Sequence, residues 1–289
     1  MRLRTALFGV LLFLQSALVL TGGAVRLTGS GLGCPTWPEC TPGSYTPVPY
    51  QAEGQLHAWI EFRNRLLTFA LLFSALAAVI YVLKSGRKDL RSLAAGQVLG
   101  IIGQGILGGI TVLTDLHPLP VAGHLLLSML LIAGATSLYS RRHEPHVKVS
   151  APTKTVSLLS QTHIAISFIV LILGTIVTGS GPHAGDEKAQ RFGFDIRSVA
   201  ILHADAVIFL MGLTIALLVA ASVTHTTKKA IYIFFGISLA QGGVGYAQYL
   251  TGIPELLVAI HLAGATIFWI AAWRIRLSVV RTSQQERDR

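Results

Sequence analysis

The sequence predicts an all-α membrane protein, with eight transmembrane helices arranged as two pseudo-symmetric four-helix bundles. Three observations carry this. The 289 residues are 52% hydrophobic and only 12% charged, far from a soluble average. Apolar runs long enough to cross a bilayer recur along the whole length. The second half also repeats the first. Gln104-Gly105 stands 20 residues ahead of His124, and Gln241-Gly242 stands 20 ahead of His261. Gly108 is echoed by Gly245, Leu113-Thr114 by Leu250-Thr251, and Val121-Ala122 by Val258-Ala259. Upstream, Thr28-Gly29-Ser30-Gly31 returns as Thr178-Gly179-Ser180-Gly181. This is a tandem duplication of about 140 residues, with the halves expected at 1–145 and 146–289.

The eight spans are expected at about 6–25, 60–83, 93–113, 121–139, 156–178, 199–222, 230–250 and 256–275. Arg2 and Arg4 precede the first span, as in a signal peptide. No convincing cleavage site follows, however, and the repeat includes the span's far end, so it is expected to be retained. The net charge of +10 invites a nucleic-acid partner, but its distribution argues against one. With the amino terminus inside, the inner segments carry 17 of the 23 Lys and Arg residues. They are Arg2 and Arg4, then Lys84, Arg87, Lys88 and Arg91, then Arg141, Arg142, Lys148 and Lys154. Lys228 and Lys229 follow, then Arg274, Arg276, Arg281, Arg287 and Arg289. This bias places both termini in the cytoplasm of a cell-membrane protein. It reports topology and contact with anionic lipid, with no nucleic-acid partner.

Spans two, four, six and eight then start at the outer face. Asn64, His124, His203 and His261 lie about one turn inside those starts, roughly 5–10 Å deep. By order in the repeat, Asn64 is the counterpart of His203, and His124 of His261. The separations agree at 60 and 58 residues. A lone histidine in a span is often a satisfied interhelical hydrogen bond. A matched pair on facing helices of a bundle is instead how a protein holds a haem. Zinc would want a third or fourth ligand, and the sequence offers no Cys or carboxylate cluster to supply one. His203 and His261 are therefore the expected haem ligands of the second half.

The first half is less regular. Asn64 stands where a second histidine would complete the pair with His124, and asparagine is a poor iron ligand. His57 lies two helical turns before Asn64 on the same face. It is a candidate either for the iron or for the mouth of the pocket. An under-ligated iron suits a site that must admit and release a haem. Glu61 shares that face, and a carboxylate in a span is a functional candidate by default. Its rival role is an ion pair with Arg65 at i+4. Arg26, Arg65 and Arg197 are candidates for haem propionates or simple interface anchors. Asp205 is read as packing or helix-start chemistry. His117, His143, His146, His163, His183 and His225 are read as bland, with His225 in a cytoplasmic loop.

Cys34 and Cys40 both fall in the first outer loop, where an oxidising exterior permits a disulfide. The pair is either a staple for that loop or redox-active near the substrate. The second half has no matching cysteines.

These residues resemble a known family, the haem A synthases. The likeness lies in Thr-Gly-Ser-Gly-Leu-Gly-Cys-Pro-Thr-Trp-Pro-Glu-Cys at 28–40, Ile-Glu-Phe-Arg-Asn-Arg at 60–65, Gly-His at 123–124, and His203 and His261. The resemblance implies two pseudo-symmetric four-helix bundles and the oxidation of a ring methyl of haem O to a formyl group, giving haem A for terminal oxidases. It implies His203 and His261 as ligands of a resident haem b, His124 as a substrate-haem ligand, Glu61 as the essential acid, and Cys34/Cys40 as the loop pair. It also implies haem sites toward the outer face, and haem O handed over by a haem O synthase. Asn64 departs from the family's usual histidine. Two other readings stay open: a b-type electron-transfer cytochrome such as a quinol oxidoreductase subunit, and a non-enzymatic haem carrier.

Overall fold

The computed structural model describes residues 2–143, 153–187, 189–220 and 225–285, with side chains described for 3–279 of these. Among the described residues, eight helices are long and apolar enough to cross a membrane: α1 (Arg2–Leu27), α2 (Gln55–Lys84), α3 (Arg91–Leu113), α4 (Pro118–Ser140), α5 (Lys154–Ser180), α6 (Ile196–Val219), α7 (His225–Leu250) and α8 (Glu255–Gln285). Among the described residues there is no strand, only an isolated bridge between Thr41 and Ser44. The expected boundary at 145/146 falls outside the described residues, as do His146, Lys148, Arg287 and Arg289.

Several helices run further than the apolar runs suggest. Gly54, at φ 86, takes the left-handed backbone that favours glycine, and α2 starts directly after it at Gln55. His57 is therefore in its first turn. His225 is not in a loop: it opens α7, so the helix takes in Lys228 and Lys229. Arg274 and Arg276 likewise lie within α8. Hydropathy marks the part of a helix that sits in hydrocarbon. Backbone hydrogen bonding carries the helix on through its polar ends.

Contacts divide the chain into two units, Met1–Arg142 with Thr175–Ile196, and His143–Gly174 with Arg197–Arg289. In the first, α1 packs on α2 and α4, and α3 packs on the same two helices, closing a four-helix ring. Its core includes Phe8, Leu11, Leu71, Ile101 and Leu138, with Phe8 edge-on to Tyr81 at 5.9 Å. One polar tie crosses this core. Gln15 Nε2 donates to Gln97 Oε1 at 3.0 Å, and Gln97 Nε2 donates to the Leu131 carbonyl at 3.0 Å. At one end, Asp89 binds both Arg87 (2.8 Å) and Arg141 (3.0 Å), joining the α2–α3 turn to the end of α4.

At the other end lies the 28–54 loop. Its Cys34–Cys40 disulfide is fully buried. Two glycines let it dock closely. A methyl added at Gly33 would clash with the His57 carbonyl oxygen, and one at Gly109 of α3 would lie 2.5 Å from the Trp37 ring. Residues 181–187 and 189–195 close over the same end. Gly31 N donates to the Gly185 carbonyl at 2.9 Å, and Leu116, Ala184 and Ala189 form a small core there.

In the second unit, α7 packs along α8. His163 on α5 meets Thr214 Oγ1 on α6 at 3.2 Å and lies edge-on to Phe234 on α7. Trp269 on α8 contacts Phe168 on α5, and Arg276 donates to Ser160 Oγ at 3.2 Å. His163 is thus a satisfied core histidine.

The glutamine tie gives a stability prediction. Gln97→Leu strands the buried Gln15 amide and should cost about 1–3 kcal/mol. The double variant Gln15→Leu/Gln97→Leu should recover most of that loss, because neither polar group then remains. Thermal unfolding of detergent-solubilised protein reads both effects, and a double variant no more stable than Gln97→Leu would contradict it.

Candidate haem sites

Four polar side chains occupy one kind of place, near the start of each even-numbered helix. Asn64 is nine residues beyond the first residue of α2, His124 six beyond that of α4, His203 seven into α6 and His261 six into α8. Each faces a glycine on the preceding helix. A methyl added at Gly22 would lie 4.0 Å from Asn64 Nδ2, and one at Gly108 would lie 3.2 Å from His124 Nε2. At Gly174 the distance to His203 Cε1 would be 3.4 Å, and at Gly245 it would be 3.6 Å to His261 Cε1. A flat imidazole or carboxamide fits there because the neighbouring helix has no side chain to fill the space. The sequence repeat includes Gly108 and Gly245, but their role against the histidines is visible only in three dimensions.

In the second unit, His203 and His261 lie within electrostatic reach of each other. Both leave Nδ1 buried without a hydrogen-bond partner. No group of three or more His, Cys, Asp or Glu able to hold a metal ion occurs among the described residues. Two imidazoles alone leave zinc short of ligands. They suffice for a porphyrin iron, whose macrocycle supplies the remaining four. The donor set and the orphaned nitrogens therefore fit a bis-histidine haem.

In the first unit, Gln104 on α3 donates to the His124 carbonyl (3.0 Å) and to Ser128 Oγ (2.5 Å). Its repeat partner Gln241 packs directly on Gly264 of α8. Gln104 and Gln241 both leave Oε1 buried and unpartnered.

The α2 face carries three further polar groups. Glu61, 6% exposed, accepts the Cys34 amide on Oε2 at 2.7 Å and Arg65 on Oε1 at 2.6 Å. Arg65 also donates to the carbonyls of Cys34, Thr36 and Glu39. The pair therefore clasps the disulfide loop onto α2. His57 Nδ1 pairs with Ser30 Oγ at 2.9 Å, and Ser30 pairs with Thr28 Oγ1 at 2.8 Å. Thr21 Oγ1 on α1 donates to Asn64 Oδ1 at 2.7 Å. Thr21 and the Ser30 hydroxyl are partners that sequence reasoning passes over, although Ser30 sits in the repeated Thr-Gly-Ser-Gly. Arg26 spends its donors on the carbonyls of Thr178 (2.8 Å) and His183. Like Arg65, it is committed to backbone carbonyls. Asp205 is exposed.

Comparisons with known proteins follow the same lines. Relatives named heme A synthase match most of the chain. The one from Sinorhizobium fredii is 25% identical over 92% of this chain and 87% of its own length. The one from Rhizobium leguminosarum is 26% identical over 92% and 88%. The one from Shewanella oneidensis is 25% identical over 91% and 92%. A family described as cytochrome oxidase assembly protein, COX15-CtaA, matches residues 5–185, more than half of the chain. The chain belongs to the COX15-CtaA family of cytochrome oxidase assembly proteins.

Proposed function

We propose that this multi-pass membrane protein is a haem A synthase, an oxidoreductase that converts a ring methyl of haem O to a formyl group for terminal oxidase assembly. The relatives carrying that name support the activity. The observation that carries the division of labour is where the two halves diverge. On α2 the face reads His57, Glu61, Asn64, Arg65. At the equivalent places α6 reads Ile196, Ala200, His203, Ala204. One half keeps a ligand among apolar neighbours. The other gives up that ligand and gathers an acid, a base and a cation. The first pattern suits a permanently held cofactor, and the second suits chemistry on a substrate.

In this reading the bundles of residues 1–145 and 146–289 hold one haem each. His203 and His261 hold a resident haem b, which supplies one-electron chemistry when bound. His124 holds the iron of haem O, with Asn64 and His57 on the facing helix. Oxidising the methyl makes its carbon electron-deficient. Glu61 stabilises that charge or takes the proton released, while Arg65 and the Cys34 amide fix its carboxylate. With water as the oxygen source and an external oxidant that takes up two electrons at each step, two successive hydroxylations give a gem-diol and release protons (R-CH3 + 2 H2O → R-CH(OH)2 + 4 H+ + 4 e−), and the gem-diol loses water to leave the aldehyde. The Cys34–Cys40 bridge, through Glu61 and Arg65, holds the loop that walls this site. Both termini lie in the cytoplasm and the haem sites face the outer side of the cell membrane. Haem O arrives from a haem O synthase.

Replacing His203 or His261 with Ala should each abolish the low-spin bis-histidine spectrum of the purified protein. A spectrum unchanged in both variants would contradict the assignment. For the activity, the chain is expressed in a host that makes haem O but no haem A. The unaltered chain should yield haem A in extracted membrane haems. Glu61→Gln keeps the size and hydrogen bonding, and should retain haem b but cut the haem A to haem O ratio by about 10² or more. Near-normal haem A from Glu61→Gln would leave Glu61 as a clasp for the loop alone.

A further inference from the structure

We infer that the first bundle binds its haem substrate through a single protein ligand, His124, with Asn64 facing the opposite axial side as a hydrogen-bond donor that does not ligate. This rests on reading the first bundle as the haem O site.

The position of Asn64 is that of a ligand. It is the repeat counterpart of His203, and it meets Gly22 as His203 meets Gly174. The chemistry is not that of a ligand. The carboxamide oxygen is its one lone-pair donor, and Thr21 Oγ1 holds that atom at 2.7 Å. Beside that hydrogen-bonded oxygen the group offers only Nδ2, which donates. An amide oxygen is in any case a ligand for hard cations rather than haem iron.

His57 does not fill the gap. The repeat sets the level of the iron at Asn64, and the α6 counterpart of His57 is Ile196. His57 stands seven residues nearer the helix start, about 10 Å along the axis. Its Nδ1 is anchored to Ser30 at 2.9 Å, which ties it to the loop. The iron is therefore left with one open axial position, beside a fixed N–H donor. Such a site exchanges its haem readily, as a substrate site must, while the second bundle keeps its own.

The test titrates ferric haem O into purified protein that already carries its resident haem. Absorbance and electron paramagnetic resonance follow the added equivalent. The added haem should be high-spin in the unaltered protein and in His57→Ala, and Asn64→His should turn it low-spin. His124→Ala should lose the high-spin signal. A low-spin added haem that becomes high-spin in His57→Ala would overturn the inference and make His57 the ligand. A low-spin haem that changes only in Asn64→Ala would overturn it in favour of Asn64. An Asn64→His protein that binds haem yet stays high-spin would show that the position is not axial. If no second equivalent binds the unaltered protein, the haem O reading of the first bundle fails, and this inference with it.

Discussion

A polar side chain inside a membrane bundle has no water to fall back on, so it needs a partner from the protein or from something the protein binds. The site is organised by that constraint. Glu61 is met by Arg65 and the Cys34 amide, Asn64 by Thr21, His57 by Ser30 and His163 by Thr214. His203 and His261 each leave a buried Nδ1 open, as Gln104 and Gln241 leave a buried Oε1. In the proposed function, an iron held between the two imidazoles would take up their open positions.

The duplicated hairpin supplies a common frame: a polar residue near the start of one helix, set against a glycine of the helix before it. In the second half both such places carry histidine. In the first, one carries Asn64, and the freed face gathers His57, Glu61 and Arg65 under a disulfide-bridged loop. A duplicated scaffold thereby offers two places of like geometry and unlike chemistry. The residues that differ also bind the 28–54 loop, so the loop and the acid are one structure.

Much of this is legible in the sequence. The apolar runs locate all eight helices, and the 20-residue spacing from Gln104 to His124 and Gln241 to His261 exposes the repeat. The helix ends are less legible, because hydropathy fades where His225, Lys228 and Arg276 continue a helix into polar surroundings. The side-chain partners are also obscured. Thr21 and Asn64 are 43 residues apart and Ser30 and His57 are 27 apart, and nothing local to either sequence pairs them. Arg65 reads equally as propionate partner or ion pair until its carbonyl contacts with Cys34, Thr36 and Glu39 are seen.

The most direct measurement of the central claim, one permanent haem in the second bundle and an exchangeable one in the first, is haem stoichiometry. Protein purified from cells that make haem b but no haem O should carry one haem b per chain, and the same in the His124→Ala variant. Two haems per chain in the unaltered protein, or a single haem lost on replacing His124, would contradict it.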